Sequence, residues 1–130
     1  VIGQRRAFPI ASYLAYGLTR LERRCQLLDF VGGMVPQQIA TLRQTDLLIA
    51  VAFAEYTQAV VDAVTDAHIR GIPMVTLTDV PTSPLARHSE VYFCVDDADS
   101  HQFRPIAASI SLVQSLIVGL SYFQDAKTDP

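Results

Sequence analysis

The stretch Asp46–Thr57, DLLIAVAFAEYT, limits the possible folds of this chain more than any other feature. It reads as an apolar strand, Leu47–Phe53, that runs through a short loop directly into a helix. A nearly continuous apolar run fits a central parallel strand that is covered on both faces. A helix that begins just after such a strand presents free backbone amides, which attract anions. The sequence therefore predicts an anion-binding loop at the end of a buried strand.

Strands and helices alternate along all 130 residues. The predicted strands are Val1–Gly3, Cys25–Leu28, Leu47–Phe53, Ile72–Thr78 and Glu90–Val95. The helical spacing of apolar residues predicts helices at Pro9–Arg23, Val35–Arg43, Tyr56–Arg70 and Arg104–Phe123. This alternation predicts one α/β domain over residues 1–130, built as a three-layer, doubly wound, flavodoxin-like sheet of five parallel strands.

Composition and charge exclude some classes of function. The formal net charge is −3, so this segment has no broad basic face for nucleic acid. No apolar run is expected to be long enough to span a membrane. The last helix is apolar on more than one side, which predicts burial on both sides and a partner subunit.

The two cysteines, Cys25 and Cys94, both fall inside predicted strands. We expect them to be buried, reduced thiols, because a disulfide framework needs more cysteines and a loop-rich chain. This expectation favours a reducing, cytoplasmic setting. The chain opens on Val1-Ile2-Gly3 within a strand, so we expect it to be a fragment of a longer protein.

Two loops are the strongest candidates for ligand binding. Gln4–Phe8 and Ala52–Thr57 follow the strands on either side of the predicted point where strand order reverses, which is where doubly wound sheets bind ligands. The first loop carries Arg5 and Arg6, and an arginine fork matches the oxygens of a phosphate. We expect one of these arginines to face the ligand; alternatively, both are surface charges.

Other side chains in this region have two possible roles. Thr57 could bond to a phosphate oxygen or cap its own helix. Phe53 and Tyr56 could line a pocket or serve only in packing. Asp79 and Ser83 follow the fourth strand, where an aspartate before a proline-containing turn often bonds to the local backbone.

Candidates for catalysis are few. Glu55 could act as a general base, or its charge could simply match the positive end of the helix dipole. His68, His88 and His101 are not expected to pair with one another or to show metal-ligand spacing. No glycine-rich nucleotide-binding motif is present, and neither a metal nor a cofactor is predicted.

Three segments resemble a known family. They are the TD-x-P-x-SPLA pattern at Thr78–Ala86, the strand-to-helix step with Tyr56-Thr57, and the opening VIGQRRAFPIASYLAYGL at Val1–Leu18. Together they resemble the SIS (sugar isomerase) domain, and more narrowly the C-terminal SIS domain of RpiR-type transcriptional regulators. The resemblance covers nearly the whole chain.

The resemblance implies a dimerising domain that binds a phosphosugar or a related anionic metabolite. In the family such a domain controls a separate N-terminal helix-turn-helix domain, through which alone the protein would contact DNA. The family's ligand loops typically show serines, whereas this chain has Arg5-Arg6-Ala7 in the first loop and Ala52 and Ala54 in the second. Two alternatives remain open: an aldose-ketose phosphate isomerase that uses Glu55 or a histidine, and a dimerisation module with a degenerate pocket.

Overall fold

Four parallel strands form the central sheet of the computed structural model, which describes residues 1–96 and 103–128. The strands are β1 (Ile2–Gly3), β2 (Leu48–Val51), β3 (Met74–Thr78) and β4 (Val91–Cys94). The helices are α1 (Phe8–Arg20), α2 (Val35–Ala40), α3 (Gln58–Ile69) and α4 (Ala107–Thr128). An acidic loop is predicted at Asp96–Asp99; its residues 97–99, and His101, lie outside the described residues.

The strands are ordered β1-β2-β3-β4, with Ala50 of β2 facing Ile2 of β1 and Thr76 of β3. The predicted strand Cys25–Leu28 is reduced to one parallel bridge between Leu28 and Ile2. The prediction of a fifth strand is therefore wrong. Strand β1 is only two residues long, and the Cys25–Leu28 segment lies on its other side. The segment therefore has too short a partner to form a ladder of several residue pairs.

The bridge nevertheless preserves the predicted strand order. Ile2 pairs with Ala50 on one side and with Leu28 on the other. The chain thus places the Leu28 segment on one side of β1 and then crosses to β2 on the opposite side. Strand order reverses between β1 and β2, as the doubly wound prediction required.

Helices cover both faces of the sheet, which confirms the three-layer architecture. Successive residues of a strand point to opposite faces. Leu48 and Ala50 of β2 therefore pack with α2 and α3, whereas Val51 packs with α1 and α4. This burial on both faces explains the continuous apolar run that the sequence shows.

Helix α1 lies very close to β1. A Cβ atom added at Gly3 would be 2.9 Å from the Cβ of Ala11 and 3.0 Å from the carbonyl oxygen of Ala7. Glycine at position 3 thus allows the first turns of α1 to rest on the strand. The close contact fixes the loop between them, residues 4–7, at the carboxyl end of the sheet.

Helix α4 packs against α1 along one side and leaves its other side exposed. Gly17 of α1 lies against Ile117 of α4. Within this chain α4 fully buries only Ser109 and Val113, whereas Val118, Tyr122 and Phe123 are exposed. The expected burial on both sides is therefore not complete within a single chain.

By length and composition alone, α4 is the one helix in residues 1–96 and 103–128 that could cross a membrane. The expectation that no apolar segment is long enough was wrong, because the scattered serines of α4 do not lower its apolar character sufficiently.

The cysteines differ from their predicted surroundings. Cys25 is half-buried and lies outside any strand, and Cys94 ends β4 with an exposed side chain. Both are free thiols, as expected, but neither is fully buried. Cys94 is exposed because β4 is the last strand in the sheet order and its residues are largely uncovered.

Candidate functional site

A cleft of about 580 Å³ opens at the carboxyl ends of β1 and β2. Every residue that the sequence proposed from the two loops lines it, except Tyr56. These residues are Arg5, Arg6, Ala7, Ala52, Phe53, Ala54, Glu55 and Thr57. The carboxyl ends of neighbouring parallel strands meet at one edge of the sheet, so loops that are about 50 residues apart in sequence share one cavity.

The loop after β1 brings both arginines to the cleft. It forms a tight turn at Arg5–Ala7, with Arg5 in the left-handed conformation at φ 56°. The guanidinium of Arg6 stacks 4.7 Å from the centre of the Phe53 ring. Because the loop is not extended, both arginines line the same cavity. That one of them faces a ligand stays a prediction.

Neither arginine is neutralised within the described part of the chain. The one salt bridge found there joins Arg70 to Asp66, on the surface of α3. Arg5 is exposed and Arg6 is half-buried, so both can meet a ligand at the mouth of the cleft. Guanidinium groups bind phosphate and carboxylate oxygens through paired hydrogen bonds.

Thr57 stands at the N-terminus of α3, and its hydroxyl does not cap that helix. Its backbone is extended, at φ −67° and ψ 123°, which is the geometry of a capping residue, but no side-chain capping bond forms. The helix-capping role that the sequence allowed for Thr57 is thus absent. Thr57 lines the cleft at the N-terminus of the twelve-residue helix α3, which is the positive end of the helix dipole.

The alanines of the second loop leave backbone groups as its main polar surface. Ala52 is buried and Ala54 is half-buried at the cleft wall. The amide of Ala54 is bound to Asp79 Oδ2 at 2.9 Å, and its carbonyl accepts a bond from Arg104 Nη1 at 2.6 Å. The loop is therefore held from two sides by charged residues of other elements.

Asp79 holds this loop in place through hydrogen bonds. Besides Ala54, its carboxylate accepts hydrogen bonds from the Tyr56 hydroxyl, from the Val80 amide at 3.0 Å and from the Thr78 hydroxyl at 3.2 Å. The bond to Val80 is the local turn contact that the sequence predicted. The bonds to Ala54 and Tyr56 were not foreseen, because they join residues more than 20 positions apart.

This network shifts the pKa values of both acidic groups. Desolvation alone would raise the pKa of Asp79, but the bonds from Tyr56, Ala54 and its other donors outweigh it, and the pKa lies below its usual value. Desolvation and the neighbouring carboxylate raise the pKa of Tyr56. At neutral pH the pair therefore consists of a charged acceptor and a neutral donor.

Ser83 and Tyr56 do not line the cleft. Ser83 is buried, and its hydroxyl accepts a bond at 3.1 Å from the Ala86 amide in the turn before β4. Tyr56 contacts the core between the sheet and α3 through its ring. Both residues stabilise the surroundings of the cavity and do not form its surface.

The sequence did not identify several residues of the cleft wall. Phe103 and Arg104 reach it from the segment before α4. Gln4 begins the loop after β1, and Val60 belongs to the first turn of α3. The side-chain oxygen of Gln4 is buried and finds no partner in the described part of the structure. The position of Gln4 in the first loop could have identified it as a cleft residue, whereas no feature of the sequence pointed to Arg104.

Two histidines that the sequence treated as unpaired lie in contact. The rings of His68 and His88 stack with their centres 4.1 Å apart. His68 is near the C-terminus of α3, about 16 Å along that helix from Thr57 at 1.5 Å per residue. The pair is thus remote from the cleft, and no group of three metal-binding side chains occurs within residues 1–96 and 103–128.

Comparison with known proteins assigns the chain to a family. The SIS domain model matches residues 1–121. An uncharacterised HTH-type transcriptional regulator of Thermotoga maritima is 27% identical over 129 residues, which are 99% of this chain and 45% of the relative. The chain thus spans about half the length of that curated relative.

Two solved structures share the fold. The sugar isomerase domain of an RpiR transcription factor from Sphaerobacter thermophilus has a TM-score of 0.90 and 27% identity, over 96% of this chain and 70% of the other. The NanR protein of Vibrio vulnificus, solved in complex with ManNAc-6P, has a TM-score of 0.83 and 25% identity, over 98% and 50%. The predicted resemblance to the SIS domain of RpiR-type regulators is confirmed, and the chain belongs to the SIS domain family.

Proposed function

We propose that this chain is the effector-binding domain of a transcriptional regulator and that its cleft binds a sugar phosphate. The observation that carries the proposal is the composition of the cleft wall. The uncommitted Thr57 hydroxyl and the N-terminus of α3 lie in the same cavity as Arg5 and Arg6. A phosphate dianion would meet hydrogen-bond donors and positive charge there without displacing an existing ion pair.

The relatives support a regulatory role over catalysis. The matched curated relative is named an HTH-type regulator, and NanR was solved with ManNAc-6P. In the full-length protein, a DNA-binding domain outside this chain would respond to occupancy of the cleft, and the protein would act in the cytoplasm. A ligand can shift such a response only by its difference in affinity between two states.

An isomerase is the second candidate, and Glu55 is the residue that favours it. Glu55 is exposed at the cleft and could remove a proton from a bound sugar. Purified protein that converts hexose or pentose phosphates, and loses this activity in Glu55→Gln, would support the enzyme over the sensor.

Isothermal titration calorimetry with N-acetylmannosamine 6-phosphate, glucose 6-phosphate and inorganic phosphate tests the binding proposal. Thr57→Val preserves shape and removes the hydroxyl, so we expect about a tenfold loss of affinity for a ligand that binds wild type. Arg5→Ala should also weaken binding. Thr65→Val is the matched control, because Thr65 lies on the exposed surface of α3 and its hydroxyl bonds only to its own helix.

The proposal fails if none of these three anions binds the wild-type protein. It also fails if they bind equally well to wild type, Thr57→Val and Arg5→Ala. In that second case, binding occurs elsewhere on the molecule, and the dimerisation module with a degenerate pocket becomes the better description.

A further inference from the structure

The rings of His68 and His88 connect two elements that do not follow each other along the chain. His68 lies in the last turn of α3, and His88 ends the short helical turn Ala86–His88 that precedes β4. The ring centres are 4.1 Å apart, and the ring planes differ by 24°. This contact, the histidine stack, joins the segments that lead into β3 and β4, so it lies at the edge of the sheet opposite the cleft.

Neither ring has a partner that would hold a proton on it. Within the described part of the chain, neither imidazole forms a hydrogen bond or an ion pair. His68 is exposed and His88 is half-buried, so water reaches both rings. An unperturbed imidazole titrates near pH 6.5, and it is the side chain that changes charge closest to neutral pH. Both rings of the stack are therefore free to take up protons as the pH falls.

The positive charges beside the stack oppose this uptake. Desolvation lowers the pKa of His88, and the charges of His68 and Arg87 lower it further. Two imidazolium rings at stacking distance repel each other, and Arg87 adds a third positive charge on the same turn. The second proton is therefore harder to add than the first.

The carboxylates of the neighbouring segments do not offset this repulsion. Asp66 of α3 is bound to Arg70 at 3.0 Å. Glu90, which follows the turn, is exposed and forms no ion pair within the described residues. The residues of α2 and β3 carry no titratable side chain. A doubly protonated stack would thus lack a bound counter-charge in the described part of the structure.

We propose that the histidine stack is a pH-sensitive contact, which holds the end of α3 against the turn before β4 while its rings are neutral and is weakened when both rings are protonated. The proposal does not depend on the proposed function, because the stack lies away from the cleft. It gives the fold a response to mild acid that is separate from ligand binding.

The direction of the response follows from where the proton binds more readily. In the unfolded chain His88 titrates near its reference value of 6.5, whereas in the folded chain its pKa is lower. The unfolded state therefore binds more protons in this range. The contribution of the stack to stability is complete above about pH 6.5 and is lost as the pH falls through the folded-state pKa of His88.

Urea denaturation of wild type and His68→Phe at about pH 7.5 and about pH 5 tests the proposal. Phenylalanine keeps a flat ring in the stack and cannot be charged. Between the two pH values, the urea midpoint of wild type should fall by about 0.5 M more than that of His68→Phe, from the repulsion of two charges about 4 Å apart in water and the urea dependence of a small domain. Thr65→Val is the matched control on the exposed surface of α3, and it should keep the pH dependence of wild type.

Nuclear magnetic resonance of the ring protons gives a second readout. In wild type the two rings should titrate in separate steps, because the first proton makes the second harder to add. In His68→Phe the pKa of His88 should move up towards its ordinary value.

A smaller pH-dependent loss in His68→Phe, together with an upward shift of the His88 pKa, supports the proposal. An equal loss in wild type and His68→Phe overturns it, because the stack would then act through packing alone. Titration of both wild-type rings in one common step at the ordinary histidine pKa also overturns it, and this measurement decides the matter even if His68→Phe does not fold.

Discussion

Asp79 holds the loop after β2 in place, although it does not line the main cleft. Its carboxylate gathers donors from the loop after β2 and from the end of β3. A charged acceptor with several donors holds backbone more firmly than a neutral one. The TD-x-P pattern therefore has a physical basis: the aspartate links two strand ends and sets the path of the loop that leads to Thr57.

Replacing Asp79 with asparagine should loosen this loop. An asparagine amide has one acceptor oxygen and two donor hydrogens, so it faces at least one donor of Ala54 or Tyr56 with another donor. We expect a loss of about 1 kcal/mol in unfolding free energy, somewhat below the roughly 1.5–3 kcal/mol typical of hydrogen bonds to charged groups, because the site is only half-buried. Urea denaturation measures it, with Asp62→Asn as the control, since Asp62 makes one exposed bond to Gln58.

The same substitution should alter the dependence of stability on pH. The pKa of Asp79 in the folded chain lies below the reference value of 3.8, so its contribution is present above that value and is lost as pH falls through the folded-state pKa. Wild type should lose more stability than Asp79→Asn on acidification below about pH 4. Equal losses in the two proteins would show that the carboxylate is not stabilised by this network.

At the scale of elements, the fold depends on two close approaches that only glycine permits. Gly3 lets α1 rest on β1, and Gly17 lets α1 rest on α4. A Cβ at position 17 would be 2.1 Å from Cδ1 and 2.7 Å from Cγ1 of Ile117. The close fit of Ile117 against Gly17 therefore fixes how α4 packs on α1.

Gly17→Ala should destabilise the chain even though alanine is the better helix former. The helix-propensity gain is about 1 kcal/mol, whereas an overpacked core typically loses 1–3 kcal/mol. Adding Ile117→Ala should restore part of the loss, because it removes the clashing atoms. Gly119→Ala is the control: no atom lies within 4 Å of its added Cβ, so thermal denaturation should show no loss. A Gly17→Ala protein as stable as wild type would mean that α4 does not pack as described.

At the scale of the whole molecule, one side of α4 is apolar and is not covered by the described residues of this chain. Val118 and Tyr122 are four residues apart, so they share one helix face, and their side chains are 48% and 72% exposed. Exposed apolar faces of this kind mark interaction surfaces. We infer that α4 contributes to a homodimer, which would place two ligand clefts in one assembly.

The double variant Val118→Asp/Tyr122→Asp should shift the inferred dimer towards monomer. Burying two carboxylates in an apolar interface is costly, so the dissociation constant should rise at least tenfold. Sedimentation velocity over a range of protein concentrations measures this shift. Ile69→Asp is the control, because Ile69 is an exposed apolar residue on α3, on the opposite face of the sheet. An unchanged mass distribution in the double variant would rule out α4 as the dimer contact.

The local pattern of the sequence was enough for the architecture and for most of the cleft. The apolar run of β2 requires cover on both faces, and parallel strands place their carboxyl ends together, so the loops at Arg5–Ala7 and Ala52–Thr57 could be assigned to one site. Whether Cys25–Leu28 forms a strand could not be predicted, because strand pairing at the edge of a sheet depends on the length of the neighbouring strand, here β1. Cys94 could not be judged either, because its exposure follows from the position of β4 at the end of the sheet order.

What the sequence determined by itself depends on period and position along the chain: four of the five predicted strands, the helices between them, the strand order and the loops that follow β1 and β2. The tertiary structure decided what those loops are bound to. Arg104 reaches Ala54 across 50 residues, Asp79 reaches Ala54 and Tyr56, and Thr57 is left without a capping bond. The physical reason is that hydrogen bonds and charge contacts between distant segments depend on distances of a few ångströms, which are set only when the sheet and its helices pack.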